Sequence, residues 1–345
     1  MSFVPIAVTF AKIHLRSAVG YSIFADTTRN NTQQSMKILI AHQIPRSPFV
    51  NMPADWTITF PPEDKLCFTP EEITKLIPTY EAFISFFTDP VPNTVIDAAK
   101  KLKIISNFGA GFNNIDVAYA RSKKIAVTNT PKAVCNPTAE HAMALMLAVS
   151  RRIGEMNIKI RLQKEALWQN NLLGHTLEGK TLGIIGMGRI GQNLAKKAEA
   201  FGMRIIYCNR FTDVPAYKRV SMETLLAESD VVSVHVPLTA ENTKLLGAEQ
   251  FMRMKSSAYL INTSRGPVID EEALAEALER GEIAGAGLDV FEKEPSVNEK
   301  LYKLSNVVLV PHLGTATVET REATTSEALS NIINFFAGSP TNVVN

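Results

Sequence analysis

The sequence predicts an α/β protein of two doubly wound parallel sheets, with the second sheet inserted within the first. Three observations carry this. From Met36 onward, short aliphatic runs alternate with helical stretches, the pattern of a parallel sheet. One unit, Lys180 to Phe211, joins strand, glycine turn, helix and strand. A long helical stretch at the end, Glu319 to Phe336, is expected to cross back to the first set of strands.

Composition bounds the answer before any motif is read. The 345 residues are 46% hydrophobic and 20% charged, the make-up of an ordinary soluble globular protein, and their number suggests two domains. A net charge of +2 singles out neither nucleic acid nor an anionic membrane as partner. Cys67, Cys135 and Cys208 are too few and too scattered for a disulfide framework or a zinc site, so no metal and a reduced cytoplasmic setting are expected. No apolar run approaches the roughly 18 residues of a membrane span. Residues 1–35 have no carboxylate before Asp26 and end in the polar tract TTRNNTQQS. They read as a weakly ordered N-terminal extension. A targeting peptide built on Lys12, Arg16 and Arg29 is the other reading, while a secretory signal would need basic residues ahead of its apolar stretch.

The elements follow in order. Strands are expected at 37–41, 82–87, 103–107 and 125–128, with helices at 70–76, 93–99 and 115–122 between them. After the strand at 103–107 comes Phe108-Gly109-Ala110-Gly111-Phe112, a loop of backbone donors that reads either as a carboxylate site or as a plain turn. The stretch 138–153 is a helix that is apolar on nearly every side, and such a helix must be covered all round. One sheet covers one side, so a second subunit is expected over part of the rest, with full burial within one chain as the alternative. Strands at 181–185 and 203–208 enclose the glycine turn and a helix at 190–201. Four further strands, 230–236, 258–262, 283–288 and 307–310, run to the final helix, with a helix at 271–280 between two of them. Residues 36–134 and 319–345 are thus expected to form one domain and residues 135–318 the other, with hinges near Pro131 and Ala316.

The glycine unit is the most specific signal. Gly186 allows a tight turn, Gly188 lets the backbone approach a pyrophosphate, and Gly191 lets the helix pack closely on the strand. The helix N-terminus then faces the phosphates. The end of the second strand selects between the two nicotinamide cofactors, because an acid there holds a ribose 2′-hydroxyl but repels a 2′-phosphate. This chain carries Asn209 followed by Arg210, so NADP(H) is expected to be preferred, with NAD(H) as the second choice.

In open α/β sheets, ligands bind beyond the carboxyl ends of the strands. Arg265, Asp289 and His312 lie at or just past such ends, and Glu294 follows Asp289 closely. Each alone has a structural reading, as ion-pair partner, solvated turn or strand-end histidine. Together they match the needs of 2-keto acid reduction. Arginine anchors a carboxylate bidentately, histidine gives the proton, and a carboxylate beside an imidazole favours its protonated form.

The stretches FGAGFNNID, NTPKAVCNPTAEHAMALMLAVSRR, GKTLGIIGMGRIG, SDVVSVHVPLTAENTKLL, INTSRGPVID, AGAGLDVFEKEP and NVVLVPHLGTAT resemble the D-isomer-specific 2-hydroxyacid dehydrogenase family from about Met36 to Asn345. The loop Phe87-Thr88-Asp89, the run NEKLYKLSNVVLVPHLGTAT and the ending TNVVN are most similar to its glyoxylate and hydroxypyruvate reductases. The resemblance implies two Rossmann-like domains, the first a flavodoxin-like substrate domain, a cleft that closes between them, and a homodimer. It implies that Arg265 binds the substrate carboxylate with backbone donors from Ala110 and Gly111, that His312 is the acid/base, and that Glu294 pairs with it. Thr138, Arg189, Ile190, Pro237, Thr243, Thr263, Asp289, His312 and Gly314 would then line the cofactor. Broader or D-lactate-type 2-keto acid reduction is an alternative, as is a nucleotide-sensing protein resembling the corepressors of this fold. One departure is the stretch around Trp168, which lacks the usual run of small and aromatic residues ahead of GKT.

Overall fold

The computed structural model describes residues 35–166 and 172–345. Of the N-terminal extension only Ser35 is described, and the stretch at Trp168 lies outside the described residues.

The first sheet is built from β1 (Lys37–Ile40), β2 (Thr57–Thr59), β3 (Ala82–Phe86), β4 (Ile104–Phe108) and β5 (Ala126–Thr128). Their order is β2-β1-β3-β4-β5, all parallel, the flavodoxin-like order expected. β3 and β4 are buried at every residue, which is why AFISF and IISNF read as continuous rather than alternating runs. The crossovers carry α1 (Pro70–Leu76), α2 (Asn93–Ala98) and α3 (Val117–Ser122). α1 starts sharply because Thr69 and Glu72 cap each other's backbone N–H groups.

Next come α4 (Cys135–Ser150) and α5 (Ile153–Gln163), separated by Arg152 in the left-handed conformation. α4 is the apolar helix expected at 138–153. It packs on the helix that follows the glycine turn and across three strands of the second sheet. Glycines make this seat: a Cβ on Gly287 would lie 3.0 Å from Leu145 Cβ, and one on Gly285 3.0 Å from Val149 Cγ2. The cover therefore comes largely from within the chain, with Ala144 left exposed. α5, by contrast, has no buried residue at all.

The second sheet contains β6 (Thr181–Ile185), β7 (Arg204–Cys208), β8 (Lys218–Arg219), β9 (Val231–Val234), β10 (Tyr259–Asn262), β11 (Gly285–Leu288) and β12 (Val307–Leu309). All are parallel, in the order β12-β11-β10-β9-β6-β7-β8. Its helices are α6 (Arg189–Ala200), α7 (Met222–Glu228), α8 (Ala248–Arg253) and α9 (Glu271–Glu279). The strand order reverses between β6 and β9, and that switch point opens a crevice at the carboxyl edge. β2 and β8 are edge strands that the sequence pattern did not reveal.

α10 (Val318–Phe336) returns to the first sheet and packs on β4. Ser106 Oγ on β4 donates to Ala328 O at 2.9 Å, and Asn331 Nδ2 donates to Asn129 O at 2.8 Å. The last residues pair with β5 through an antiparallel bridge between Thr128 and Val343.

Candidate active site

Beyond β10, Asn262 ties the turn that presents Arg265. Its Oδ1 accepts from Ser264 N at 3.0 Å and its Nδ2 donates to Arg265 O at 3.1 Å. Arg265 Nη1 donates to Ser264 O at 2.7 Å, and the guanidinium lies against the loop after β4. The fit is close enough that a Cβ on Gly111 would come within 1.6 Å of Arg265 Nη2. That loop is pinned by its other polar groups. Gly109 N–H donates to Thr130 Oγ1 at 2.8 Å, Asn129 Nδ2 donates to Ala110 O at 2.7 Å, and Asn107 Nδ2 donates to Gly111 O at 2.8 Å. The N–H groups of Ala110 and Gly111 have no acceptor among the described residues and border the cleft beside the guanidinium.

Beyond β12, His312 is held at a backbone φ of +54°, in the left-handed region that a side-chain-bearing residue rarely adopts. Its N–H donates to Asp289 O at 2.8 Å. Its Nδ1 lies 3.1 Å from Glu294 Oε2, while Glu294 Oε1 accepts from Phe291 N at 3.1 Å. This leaves Nε2 as the nitrogen free to exchange a proton. The Phe87 ring packs 4.8 Å from the imidazole, centroid to centroid. The Arg265 and Glu294 loops interlock through Gly266, where a Cβ would meet the Phe291 carbonyl at 1.9 Å.

The electrostatics follow from this packing. Burial alone would raise the Glu294 carboxyl, but the hydrogen bond and charge of His312, the Phe291 N–H and the Arg265 charge hold it below the usual carboxylate range. Burial pulls the Arg265 guanidinium down from its ordinary value and Glu294 opposes that shift. Arginine stays protonated regardless, so the cleft keeps one fixed positive charge.

The cleft has a volume of about 270 Å³ and is bordered by residues of both sheets. Ala110, Gly111, Thr138, Ile190, Pro237, Thr263, Arg265, Asp289, His312 and Gly314 all border it. Glu294 reaches it through His312. Arg189 and Thr243 are exposed outside it, and Thr243 Oγ1 is spent on Thr239 O. Asp289 is 1% exposed and does more than line the cleft: its carboxylate accepts from Leu313 N at 2.6 Å and Gly314 N at 2.9 Å. Asn209 is also engaged, accepting from Met187 N at 2.6 Å and donating to Thr212 O at 2.9 Å.

The residues around the glycine turn fit a dinucleotide. Gly186 has φ +97°, and a Cβ there would meet His235 O at 2.7 Å. A Cβ on Gly191 would meet Gly186 O at 2.5 Å, whereas Gly188 faces open space at the N-terminus of α6. Two buried polar atoms bordering the cleft, His235 Nδ1 and Thr263 Oγ1, have no partner among the described residues. A ligand rich in hydroxyl and phosphate oxygens would satisfy them. Burial lowers the His235 pKa to about 4, so this imidazole is neutral at working pH. No group of side chains suited to a metal occurs among the described residues.

The sequence reasoning passed over two histidines. His235 ends β9 and was open to the same strand-end rule that found Arg265. His141 lies on α4 with its Nε2 3.1 Å from Asp289 Oδ1, a contact no local pattern reveals.

The family model for the D-isomer-specific 2-hydroxyacid dehydrogenase NAD-binding domain matches residues 143–314. The chain is 48% identical over 276 residues to a glyoxylate reductase of Thermococcus litoralis, covering 77% of this chain and 83% of that one. Among solved structures, a glyoxylate reductase from Paecilomyes thermophila is 35% identical with a TM-score of 0.81, over 90% of this chain and 98% of its own. An NADPH-dependent glyoxylate/hydroxypyruvate reductase from Sinorhizobium meliloti, in complex with NADP and malonate, is 30% identical with a TM-score of 0.78, over 90% and 97%.

Proposed function

Since the chain belongs to the D-isomer-specific 2-hydroxyacid dehydrogenase family, we propose that it reduces glyoxylate to the achiral 2-hydroxy acid and hydroxypyruvate to the D-2-hydroxy acid. The observation that carries this is the placement of Arg265 against the Ala110–Gly111 N–H groups, with the His312–Glu294 pair on the same cleft. Arg265 and the two N–H groups grip the substrate carboxylate and turn the neighbouring carbonyl toward His312. When bound, the reduced nicotinamide supplies the hydride that the carbonyl carbon accepts. His312 gives the proton to the carbonyl oxygen from Nε2, while Glu294 fixes the ring through Nδ1. The Phe87 ring packs beside the imidazole.

NADP(H) is the proposed cofactor of choice. Arg219 Nη2 donates to the carbonyls of Asn209 and Arg210 at 2.7 and 3.2 Å, so a second guanidinium joins Arg210 at the end of β7. We further place the substrate domain at residues 36–134 and 319–345, and the cofactor domain at 135–318, with hinges near Pro131 and Ala316. A homodimer is proposed, through the apolar helix 138–153 with α5 beside it. Ile158 and Leu162 on α5 are 58% and 78% exposed, and a second copy is the partner that would cover them. No helix among the described residues is long and apolar enough to cross a membrane, and three free thiols favour a cytoplasmic location.

The test is NADPH oxidation at neutral pH with glyoxylate, hydroxypyruvate, pyruvate and phosphohydroxypyruvate in parallel, repeated with NADH. Fast turnover of the first two with NADPH is expected, and His312→Ala should lose most of kcat. Faster turnover of pyruvate would replace the substrate reading, and a higher kcat/KM with NADH would overturn the cofactor reading.

A further inference from the structure

We propose that His141 is a positioning residue for catalysis, acting through Asp289 on the backbone that carries His312; this rests on the reductase reading above. Asp289 is the hub of the catalytic edge. Its backbone carbonyl accepts from His312 N–H at 2.8 Å, and its two carboxylate oxygens accept from Leu313 N at 2.6 Å and Gly314 N at 2.9 Å. One residue therefore fixes three successive backbone donors, at the point where His312 takes its left-handed conformation. Such a conformation persists only where its surroundings over-determine it.

The carboxylate that does this is almost wholly buried, and among the described residues its one side-chain hydrogen-bond partner is His141, whose Nε2 lies 3.1 Å from Oδ1. The two residues come from distant elements: His141 from α4, Asp289 from the end of β11. α4 also touches the loop directly, since a Cβ on Gly314 would lie 3.7 Å from Thr138 Cγ2. The helix wall and the catalytic loop thus meet at a single carboxylate. Without the imidazole, the Oδ1 side of Asp289 keeps one short N–H contact and is free to turn. The loop then relaxes, and Nε2 of His312 drifts from the carbonyl oxygen it must protonate. Misplacement on the order of 1 Å costs about 100-fold in rate. Arg265 and the Ala110–Gly111 donors lie on other loops, so the grip on the substrate carboxylate is unaffected.

The test compares His141→Leu, which keeps the volume and removes the ring nitrogen, with His141→Gln, whose carboxamide can donate to Asp289. Steady-state kinetics with glyoxylate, cofactor Kd by fluorescence titration and thermal midpoints are measured on each full-length variant. Expected for His141→Leu is a fall in kcat of roughly 10- to 100-fold, with KM for the keto acid and cofactor Kd little changed. His141→Gln should recover most of the rate. Unchanged kcat in His141→Leu overturns the proposal, as does a Gln variant no better than Leu. A loss carried by KM or by cofactor Kd also overturns it. A wild-type enzyme inactive on every keto acid would remove the reductase reading and this inference together.

Discussion

At the scale of single residues, function rests on how close Arg265 comes to a glycine. An alanine at Gly111 would press its methyl into the end of a flexible side chain, which can yield without unfolding the loop. Gly111→Ala is therefore expected to displace the anchor and leave the fold alone. Losing a contact to a charged group worth roughly 1.5–3 kcal/mol raises KM for the keto acid about 10- to 100-fold. Steady-state kinetics beside a melting curve would check this, and an unchanged KM would refute the assigned anchor. Arg265, Asp289 and His312 were legible in the sequence because the end of a parallel strand is a fixed place relative to the crevice. The orientation of Arg265 toward Gly111 was not legible, because the two residues belong to different sheets. His141 was hidden for a similar reason, lying 148 positions from its partner on a helix whose pattern reads as apolar filler.

At the scale of elements, the active site depends on loops that lock each other. Gly266 holds the Arg265 loop against the backbone of Phe291 and Glu292, where a Cβ would find atoms at 1.9 and 2.5 Å. Backbone cannot swing aside as a guanidinium can. Gly266→Ala is thus expected to destabilise the protein by at least the 1–3 kcal/mol or so typical of overpacking. A urea unfolding midpoint equal to wild type would contradict the interlock. Gly111 thus protects a grip, and Gly266 protects the fold. Most elements were readable from the sequence because buried strands and glycine-stopped helices leave strong local marks. β2 and β8 left none, since short edge strands are defined by the neighbour they pair with. The surroundings of α4 were unreadable too, because its cover depends on the glycines of β11, far along the chain.

At the scale of the whole molecule, two sheets share one crevice, and strand-end loops meet across it: Arg265 against Gly111, Phe87 against His312, and Asn113 Nδ2 donating to Leu238 O at 3.2 Å. α5 carries four exposed apolar residues, Ile153, Ile158, Ile160 and Leu162. Ile158→Lys combined with Leu162→Glu should convert a dimer to a monomer in light scattering at micromolar concentration. A wild-type chain already monomeric there would end the dimer reading. The return of α10 to β4 also has a consequence for biosynthesis. The strands of the first sheet leave the ribosome early, yet Ala328, Asn331 and Val344, which bond to Ser106, Asn129 and Val127, are made last. The nascent first sheet must wait, with one face uncovered, while the intervening half is translated and can already fold. The second sheet is then the first to mature, and the first sheet is finished only after it.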